Sequence, residues 1–275
     1  MNYFLKLTLL LLIISLNSCS KKDKQISVIK AMDQESEMIQ AYKEGIEHLE
    51  DGDTFLAAKK FLEAELSFPQ SEWASKSALM AAYTYYAQSY YSESIFNLER
   101  FLKIYPKDER LDYVHYLIAL CYYENIQGEK KDLKPLIVAK KKFIFVMEKY
   151  PNTDFAMDSK FKIDLINDIL ASKEMYLGRH YIKKEKWIAA INRFKIILND
   201  HDTTIYAEEA IHRLVEIHYK IGLEDEAKKY ASILGYNYLS SEWYKRSYKI
   251  FNKEYGVKEI KKDKKSIKEI FKKLF

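Results

Sequence analysis

The chain has little of what bends or crosslinks a backbone. Four prolines and seven glycines in 275 residues leave few tight turns, which argues against short strands joined by hairpins. Two cysteines, Cys19 and Cys121, exclude a disulfide framework, a CxxC motif and a cysteine-based zinc site. No GxGxxG or GxxxxGK occurs among the glycines, so no phosphate-cradling loop of those kinds is present. The six histidines, at positions 48, 115, 180, 201, 212 and 218, include no HExxH and no pair four apart that would place two ligands on one helix face. Carboxylate runs such as GLEDEAKK read as solvated helix faces with partners one turn away. Catalysis is not expected, and neither is a metal.

Apolar and aromatic residues are abundant. Hydrophobic residues make up 48% of the chain, with 23 Tyr and 14 Phe, enough to bury a sizeable core. Large side chains and few turns predict an all-α protein of long helices with short connections. Cys121 lies in YLIALCYYENI, where a free thiol acts as a small buried hydrophobe.

Residues 1–18 read as a lipoprotein signal peptide. Lys6 precedes the run LTLLLLIISL, about ten residues, which is short for a membrane span and suits a secretory signal core. The junction Leu16-Asn17-Ser18-Cys19 resembles the lipobox of bacterial lipoproteins, with Asn17 a less usual occupant. That resemblance implies cleavage before Cys19 and a covalent lipid on it, the only cofactor-like group expected. More than one acyl chain is needed for stable anchoring. Ser20, in place of Asp, implies sorting to the outer membrane, and residues 19–31 form the lipidated N-terminus and tether. The competing reading is an uncleaved inner-membrane anchor beside a chance cysteine.

Internal repetition follows. Five segments carry the same offsets of four, three and five residues: Ala57-Phe61-Ala64-Pro69, Ser94-Leu98-Phe101-Pro106, Ala139-Phe143-Val146-Pro151, Ala190-Phe194-Ile197-Asp202 and Ala227-Ala231-Leu234-Leu239. A small residue followed by apolar ones at these spacings is one helix face, its small member admitting a close neighbour. Proline then stops the helix. Asp202 and Leu239 leave the ends of the last two such helices open. Two residues on stand Ser71, Asp108, Thr153, Thr204 and Ser241, all N-cap types. After two more come Trp73, Arg110, Phe155, Tyr206 and Trp243, four aromatics suited to plugging the joint between repeats.

These columns resemble the tetratricopeptide repeat, whose first-helix signature is best kept in Leu177-Gly178-x-x-Tyr181 and partly in Gly45 and Tyr85. The implied fold is an all-α tetratricopeptide-repeat solenoid of about five helix pairs over residues 32–251, with an N-terminal half of about 32–107 and a C-terminal half of about 108–251. The anchors at 57, 94, 139, 190 and 227 lie further apart than the roughly 34 residues of the ideal unit. The surplus falls in a polar loop, residues 125–135, with Gly128 and Pro135, and in a long helix over residues 153–185.

The stretch AYTYYAQSYYSESIFNLERFLKIYPKDERLDYVHYLIALCYY resembles the second and third repeats of the BamD family, lipoproteins of the bacterial outer-membrane β-barrel assembly machinery. The Tyr83-x-Tyr85-Tyr86 group, Arg100-Phe101, Tyr105-Pro106 and Leu111-Asp112-Tyr113-Val114 fall as in that family, and KWIAAINRF and LGYNYLSSEWYKRSYKIF match its later repeats. The resemblance implies a non-catalytic adaptor lipid-anchored at the periplasmic face of the outer membrane. Its implied partners are a BamA-like insertase with POTRA domains, other Bam lipoproteins, and unfolded outer-membrane protein precursors. Tyr42, Ile46, Tyr83 and Tyr86 are the candidate client-peptide groove, since tyrosine offers a flat apolar face and a hydroxyl at low entropic cost. They equally suit plain helix packing. Arg193 is the candidate BamA contact, and a solvated surface arginine is the alternative. A periplasmic tetratricopeptide-repeat lipoprotein scaffolding envelope division or wall synthesis is the second reading of the whole chain.

Charge isolates the end of the chain. Residues 19–251 come to −1, whereas residues 252–275 hold nine Lys against four acidic residues, a surplus of +5. Ile260, Ile267, Ile270, Phe271 and Leu274 fall near one helical face, predicting a basic amphipathic helix for lipid or for capping the last repeat. An exported protein meets no nucleic acid, so that partner is not expected.

Overall fold

Eleven α-helices and no strand make up the residues described by the computed structural model, 22–125 and 133–252. The signal segment, Cys19, Gly128 and the basic tail from residue 253 lie outside them. The helices are α1 (Lys22–Glu50), α2 (Thr54–Ser67), α3 (Glu72–Ala87), α4 (Tyr91–Ile104), α5 (Leu111–Glu124), α6 (Lys134–Lys149), α7 (Asp154–Lys183), α8 (Trp187–Asp200), α9 (Ala207–Lys220), α10 (Glu224–Asn237) and α11 (Glu242–Phe251). Along the chain they follow one another as five helix–turn–helix segments and a last single helix, and within each unit the helices pack in the tetratricopeptide manner. The chain divides into two compact units, one holding residues up to 125 with 145–156, the other 133–144 with residues from 157 on. Among the described residues no helix is long and apolar enough to cross a membrane.

The anchor columns are the core. Ala57, Ser94, Ala139, Ala190 and Ala227 are all fully buried in the second helix of their pair, and Phe61, Leu98, Phe143 and Phe194 are buried one turn on. The first helix answers with a small residue of its own. A Cβ added at Gly45 would stand 2.8 Å from the Phe61 ring, and one at Gly178 2.5 Å from that of Phe194. Where Ser replaces Ala, its hydroxyl is satisfied: Ser94 Oγ donates to the Ala82 carbonyl at 2.9 Å and lies 3.4 Å from Cys121 Sγ. Cys121 is a buried free thiol, and burial pushes its pKa up to about 11.

Four of the pairs turn by one device. The middle residue of each three-residue turn adopts a left-handed conformation, at Gly52, Ser89, Glu185 and Gly222. The next amide reaches the carbonyl five residues back: Asp53 to His48, Tyr90 to Tyr85, Lys186 to Tyr181 and Leu223 to His218, at 2.8–3.0 Å. This is the Schellman arrangement, which satisfies the last carbonyls of the first helix. The third pair uses the longer connection after Asn125 instead.

Returns between pairs follow a second rule. The second helices end at Ser67, Ile104, Lys149, Asp200 and Asn237, each two residues before the stop position, whether Pro, Asp202 or Leu239 occupies it. Proline is therefore not what ends these helices. The amides of Ser71, Asp108, Thr153, Thr204 and Ser241 donate to the carbonyls three residues back at 3.0–3.2 Å, closing the same turn in every repeat.

The expectation that all five of those residues act as N-caps needs correction. Thr153 Oγ1 accepts from the Ala156 amide and Ser241 Oγ from that of Trp243, at 3.2 and 3.0 Å. Ser71 instead donates its hydroxyl to the Phe68 carbonyl and makes no side-chain cap bond. Asp108 and Thr204 stand outside their helices, which Arg110 and Tyr206 precede. The physical reason is that these groups are engaged at the corner itself: the Thr204 hydroxyl, like that of Ser71, donates to the carbonyl three residues back, at 2.7 Å, and Asp108 Oδ1 accepts from the Arg110 amide and guanidinium.

The predicted long helix is α7, 30 residues, about 45 Å at 1.5 Å per residue. Pro135 sits in the first turn of α6, where its missing N–H costs nothing. The helix α1 begins at Lys22, within the segment read as tether.

Glu185 and Gly222 supply a matched test of the turn device. Glu185→Gly should raise the urea-unfolding stability by about 0.5–1 kcal/mol, by removing a left-handed non-glycine residue. Gly222→Ala should lower it by about 1 kcal/mol, because its φ of 85° disfavours a Cβ.

Candidate functional site

In the first unit the leading helices of the first three repeats, α1, α3 and α5, contribute to one cavity. Tyr42, Lys76, Leu79, Met80, Tyr83, Arg110 and Tyr113 line a space of about 280 Å³. Leu79 and Met80 supply apolar wall, the three tyrosines supply rings with polar tips, and Lys76 and Arg110 supply positive charge. Among the described residues its lining carries no carboxylate.

Neighbouring contacts fix each wall. Tyr42 stands edge-on to Phe61 and to Trp73, with ring centroids 5.3 and 5.4 Å apart. Lys76 Nζ lies 4.8 Å over the Trp73 ring. Arg110, the exception in the aromatic column, is held by Asp108 through Nε and Nη2 at 2.8 and 2.7 Å and by Ser75 Oγ at 2.7 Å. Burial raises the pKa of Tyr42, against the pull of Arg110, and lifts Tyr113 to about 12. Both hydroxyls therefore stay protonated and able to donate at neutral pH.

Of the four residues read from the sequence as a groove, Tyr42 and Tyr83 share this cavity. Ile46 packs into the Ala57, Ala58, Phe61 and Ala81 cluster. Tyr86 lies 6.2 Å from Tyr83 but turns its hydroxyl to Glu124 Oε1 at 2.9 Å, which also accepts from Tyr91 through Oε2 at 3.2 Å. Burial and the Glu124 bond raise the Tyr86 pKa. Lys76, Leu79, Met80, Arg110 and Tyr113 are not identified as groove residues from sequence. Arg110 carried a signal, as the one cation in a column of aromatics.

In the second unit Arg193 of α8 is paired with Glu174 of α7, at 3.1 and 3.4 Å. About a third of its side chain remains accessible (35%), so any external carboxylate would share the guanidinium with Glu174.

Charged seams join successive repeats. Arg100 grips the buried Glu65 through Nη1 at 3.0 Å and through Nη2, and Tyr105 donates to the same carboxylate at 2.8 Å. In the second unit Arg179 and Arg213 converge on the buried Glu209. Glu216 accepts from Arg213 and His212. Although burial alone would raise its pKa, these bonds and charges bring it down to about 2. The aromatic joints seal alongside: Phe155 against Tyr113 and Tyr116, and Trp243 against His212 at 5.2 Å. Among the described residues no group of His, Cys, Asp or Glu converges to hold a metal.

Helix pairs joined by such seams, with a tyrosine-walled cavity in the first unit, define an all-α protein of the tetratricopeptide type. The family described as outer membrane lipoprotein, YfiO, matches residues 34–234, and the chain belongs to it. Its similarity extends to proteins named outer membrane protein assembly factor BamD. The one from Caulobacter vibrioides is 37% identical over 238 residues, covering 86% of this chain and 77% of that protein. The one from Rickettsia prowazekii is 41% identical over 209 residues, covering 76% and 83%. A Neisseria gonorrhoeae relative of the same name is 29% identical over 209 residues, covering 72% and 76%.

Two outcomes follow for the seams. Arg100→Leu should cost about 2–4 kcal/mol in urea unfolding by stranding the Glu65 carboxylate, while Arg100→Leu with Glu65→Leu should recover most of it. Asp108 is held to about 2, first by the Arg110 hydrogen bond, against an ordinary value of 3.8. A depressed carboxyl stabilises the fold above its unfolded value and loses that contribution as pH falls through the folded one. The stability difference between the native chain and Arg110→Met should thus be largest above about pH 4 and shrink as pH falls towards about 2.

Proposed function

We propose that the chain is a non-catalytic adaptor in the assembly of outer-membrane proteins, anchored through lipid on Cys19 at the periplasmic face of the outer membrane. The observation that carries this reading is the family match over residues 34–234, with relatives named as assembly factors across most of the chain. The Leu16-Asn17-Ser18-Cys19 junction supports the anchor.

In this reading a barrel-bearing insertase with POTRA domains, resembling BamA, binds the chain, with Arg193 as candidate contact. Other Bam lipoproteins join the same complex. Unfolded outer-membrane precursors are the clients, and the cavity around Tyr42 and Tyr83 supports that role chemically. An aromatic client side chain would fit among Leu79, Met80 and the tyrosine rings. Client carbonyls would accept from the protonated tyrosine hydroxyls. Lys76 and Arg110 would attract carboxylates. Ile46 and Tyr86 hold the helices that carry the cavity.

Affinity purification of the tagged full chain from detergent-solubilised envelopes tests the assignment. A POTRA-bearing barrel protein should co-purify, and Cys19→Ala, which removes the lipid site and leaves the apolar signal run attached, should shift the chain from the outer-membrane to the inner-membrane fraction. Recovery of division or wall-synthesis proteins without the barrel protein would sink the reading in favour of the scaffold. Tyr42→Ala with Tyr83→Ala should weaken photo-crosslinking to an unfolded barrel precursor about tenfold, the scale of one or two lost aromatic anchors, with insertase recovery unchanged.

A further inference from the structure

The cavity of the first unit has a counterpart in the second, at the same positions of the repeat. On α7, Ser172, Met175, Tyr176 and Arg179 take the places that Lys76, Leu79, Met80 and Tyr83 hold on α3. Tyr206, ahead of α9, takes the place of Arg110 ahead of α5, and each lies 96 residues after its counterpart. The buried anchors Ser94 and Ala190 keep that interval, as do the left-handed turn residues Ser89 and Glu185, so the fold fixes the correspondence. All five residues of the second set, with Lys173 and Leu177, line one space of about 360 Å³, within the roughly 300–1,000 Å³ of ligand sites. Among the described residues this lining, too, carries no carboxylate.

The chemistry recurs with its walls exchanged. A cation, Arg179, stands where Tyr83 stands in the first unit, and an aromatic ring, Tyr206, where Arg110 stands. Glu209, at the position of Tyr113, is buried and accepts from Arg179 through Nε at 3.0 Å and through Nη2. Arg179 Nη1 makes no bond among the described residues, and 48% of the side chain is exposed. Arg213 shares the same carboxylate, so Glu209 does not neutralise Arg179 in full. Tyr176, one turn from Arg179 towards the start of α7, is 57% exposed.

We propose that this cavity is a second binding site of the chain, for an extended polypeptide segment that carries an aromatic side chain beside a carboxylate. The aromatic side chain packs among Tyr176, Tyr206 and Leu177, where ring faces and apolar wall are offered together. The carboxylate accepts from the uncommitted Nη1 of Arg179. Charge sets this occupant apart from the chain's own residues 252–275, whose nine Lys against four acidic residues bring the wrong sign to a cationic lining. The inference stands on the lining of this cavity and not on the client role proposed for the first. Where that role holds, both cavities take clients of one chemical class.

Site-directed photo-crosslinking of the full mature chain tests the site. Tyr176 is replaced by p-benzoylphenylalanine, which keeps a ring at an exposed position and should leave helical circular dichroism unchanged. The chain is then irradiated with a flexible Gly/Ser peptide that bears a single Tyr-Asp pair. Capture of this peptide is expected. It should fall about tenfold when the peptide's Tyr is Ala, the scale of a lost aromatic anchor, and about threefold when its Asp is Asn, the scale of a partly exposed ion pair. The same replacement at Tyr83 reports the first cavity by itself, so failure at position 176 alone sinks this inference and leaves the client role of the first cavity standing. Four results would overturn the proposal. One is no capture at position 176, and another is equal capture of all three peptides. A third is capture of residues 253–275 in place of the peptide, which assigns the cavity to the chain's own end. The last is a crosslinked dimer in place of peptide capture, which assigns it to a second copy.

Discussion

The close approach of the two helices in each pair is the constraint from which the rest of the architecture follows. It requires a small residue on the second helix, met by Ala57, Ser94, Ala139, Ala190 and Ala227, and in the first and fourth pairs a glycine facing a phenylalanine ring. A methyl group more on either side would meet a side chain already fully buried, and interiors packed to crystal density do not yield easily. With that distance set, the turn between the helices has three residues, and its left-handed middle position follows from the need to satisfy the last carbonyls. Ser89 and Glu185 occupy that conformation without being glycine, so pairing of the helices outweighs local preference.

Between repeats the logic changes from steric to electrostatic. Glu65 and Glu209 are buried carboxylates, which would be costly alone, and each is met by arginine from a neighbouring repeat. Such pairs add little net stability over apolar replacements. They penalise misregister strongly, because a slipped repeat would strand a charge. In an array whose repeats are near copies of one another, apolar surfaces alone could stack in several ways. A stacking that strands a charge is disfavoured by the ion pairs, and the aromatic joints at Trp73, Phe155 and Trp243 each pack against a ring of the preceding leading helix.

This division of labour leaves the leading helices free to present side chains outward. Tyr42, Tyr83 and Tyr113 come from three successive repeats, and their rings are braced by Phe61 and Trp73, by Tyr86 and by Phe155 respectively. Rigid backing of this kind lowers the entropy a ligand must remove on binding. The second unit presents charge as well, with Arg193 already half-committed to Glu174.

The helix pairs, their number and their core were legible in the sequence because each rests on local spacing: a small residue, then apolar ones four and seven positions on, is a helix face wherever it occurs. The long α7 was legible for the same reason, through absence of proline over thirty residues. The helix ends at Asp202 and Leu239 were not, since backbone bonds rather than proline close those turns. Nor was the distribution of roles among aromatic residues. Tyr83 and Tyr86 look alike in the chain, yet one opens to a cavity and the other is drawn to Glu124, thirty-eight residues away. Arg193 likewise reads as a free cation until Glu174 is brought beside it. The periodic faces were therefore determined by sequence alone, because they depend on neighbours within two turns. Which polar and aromatic groups face outward was decided only by tertiary structure, because burial and ion pairing depend on residues that the sequence separates and the stacking of repeats brings together.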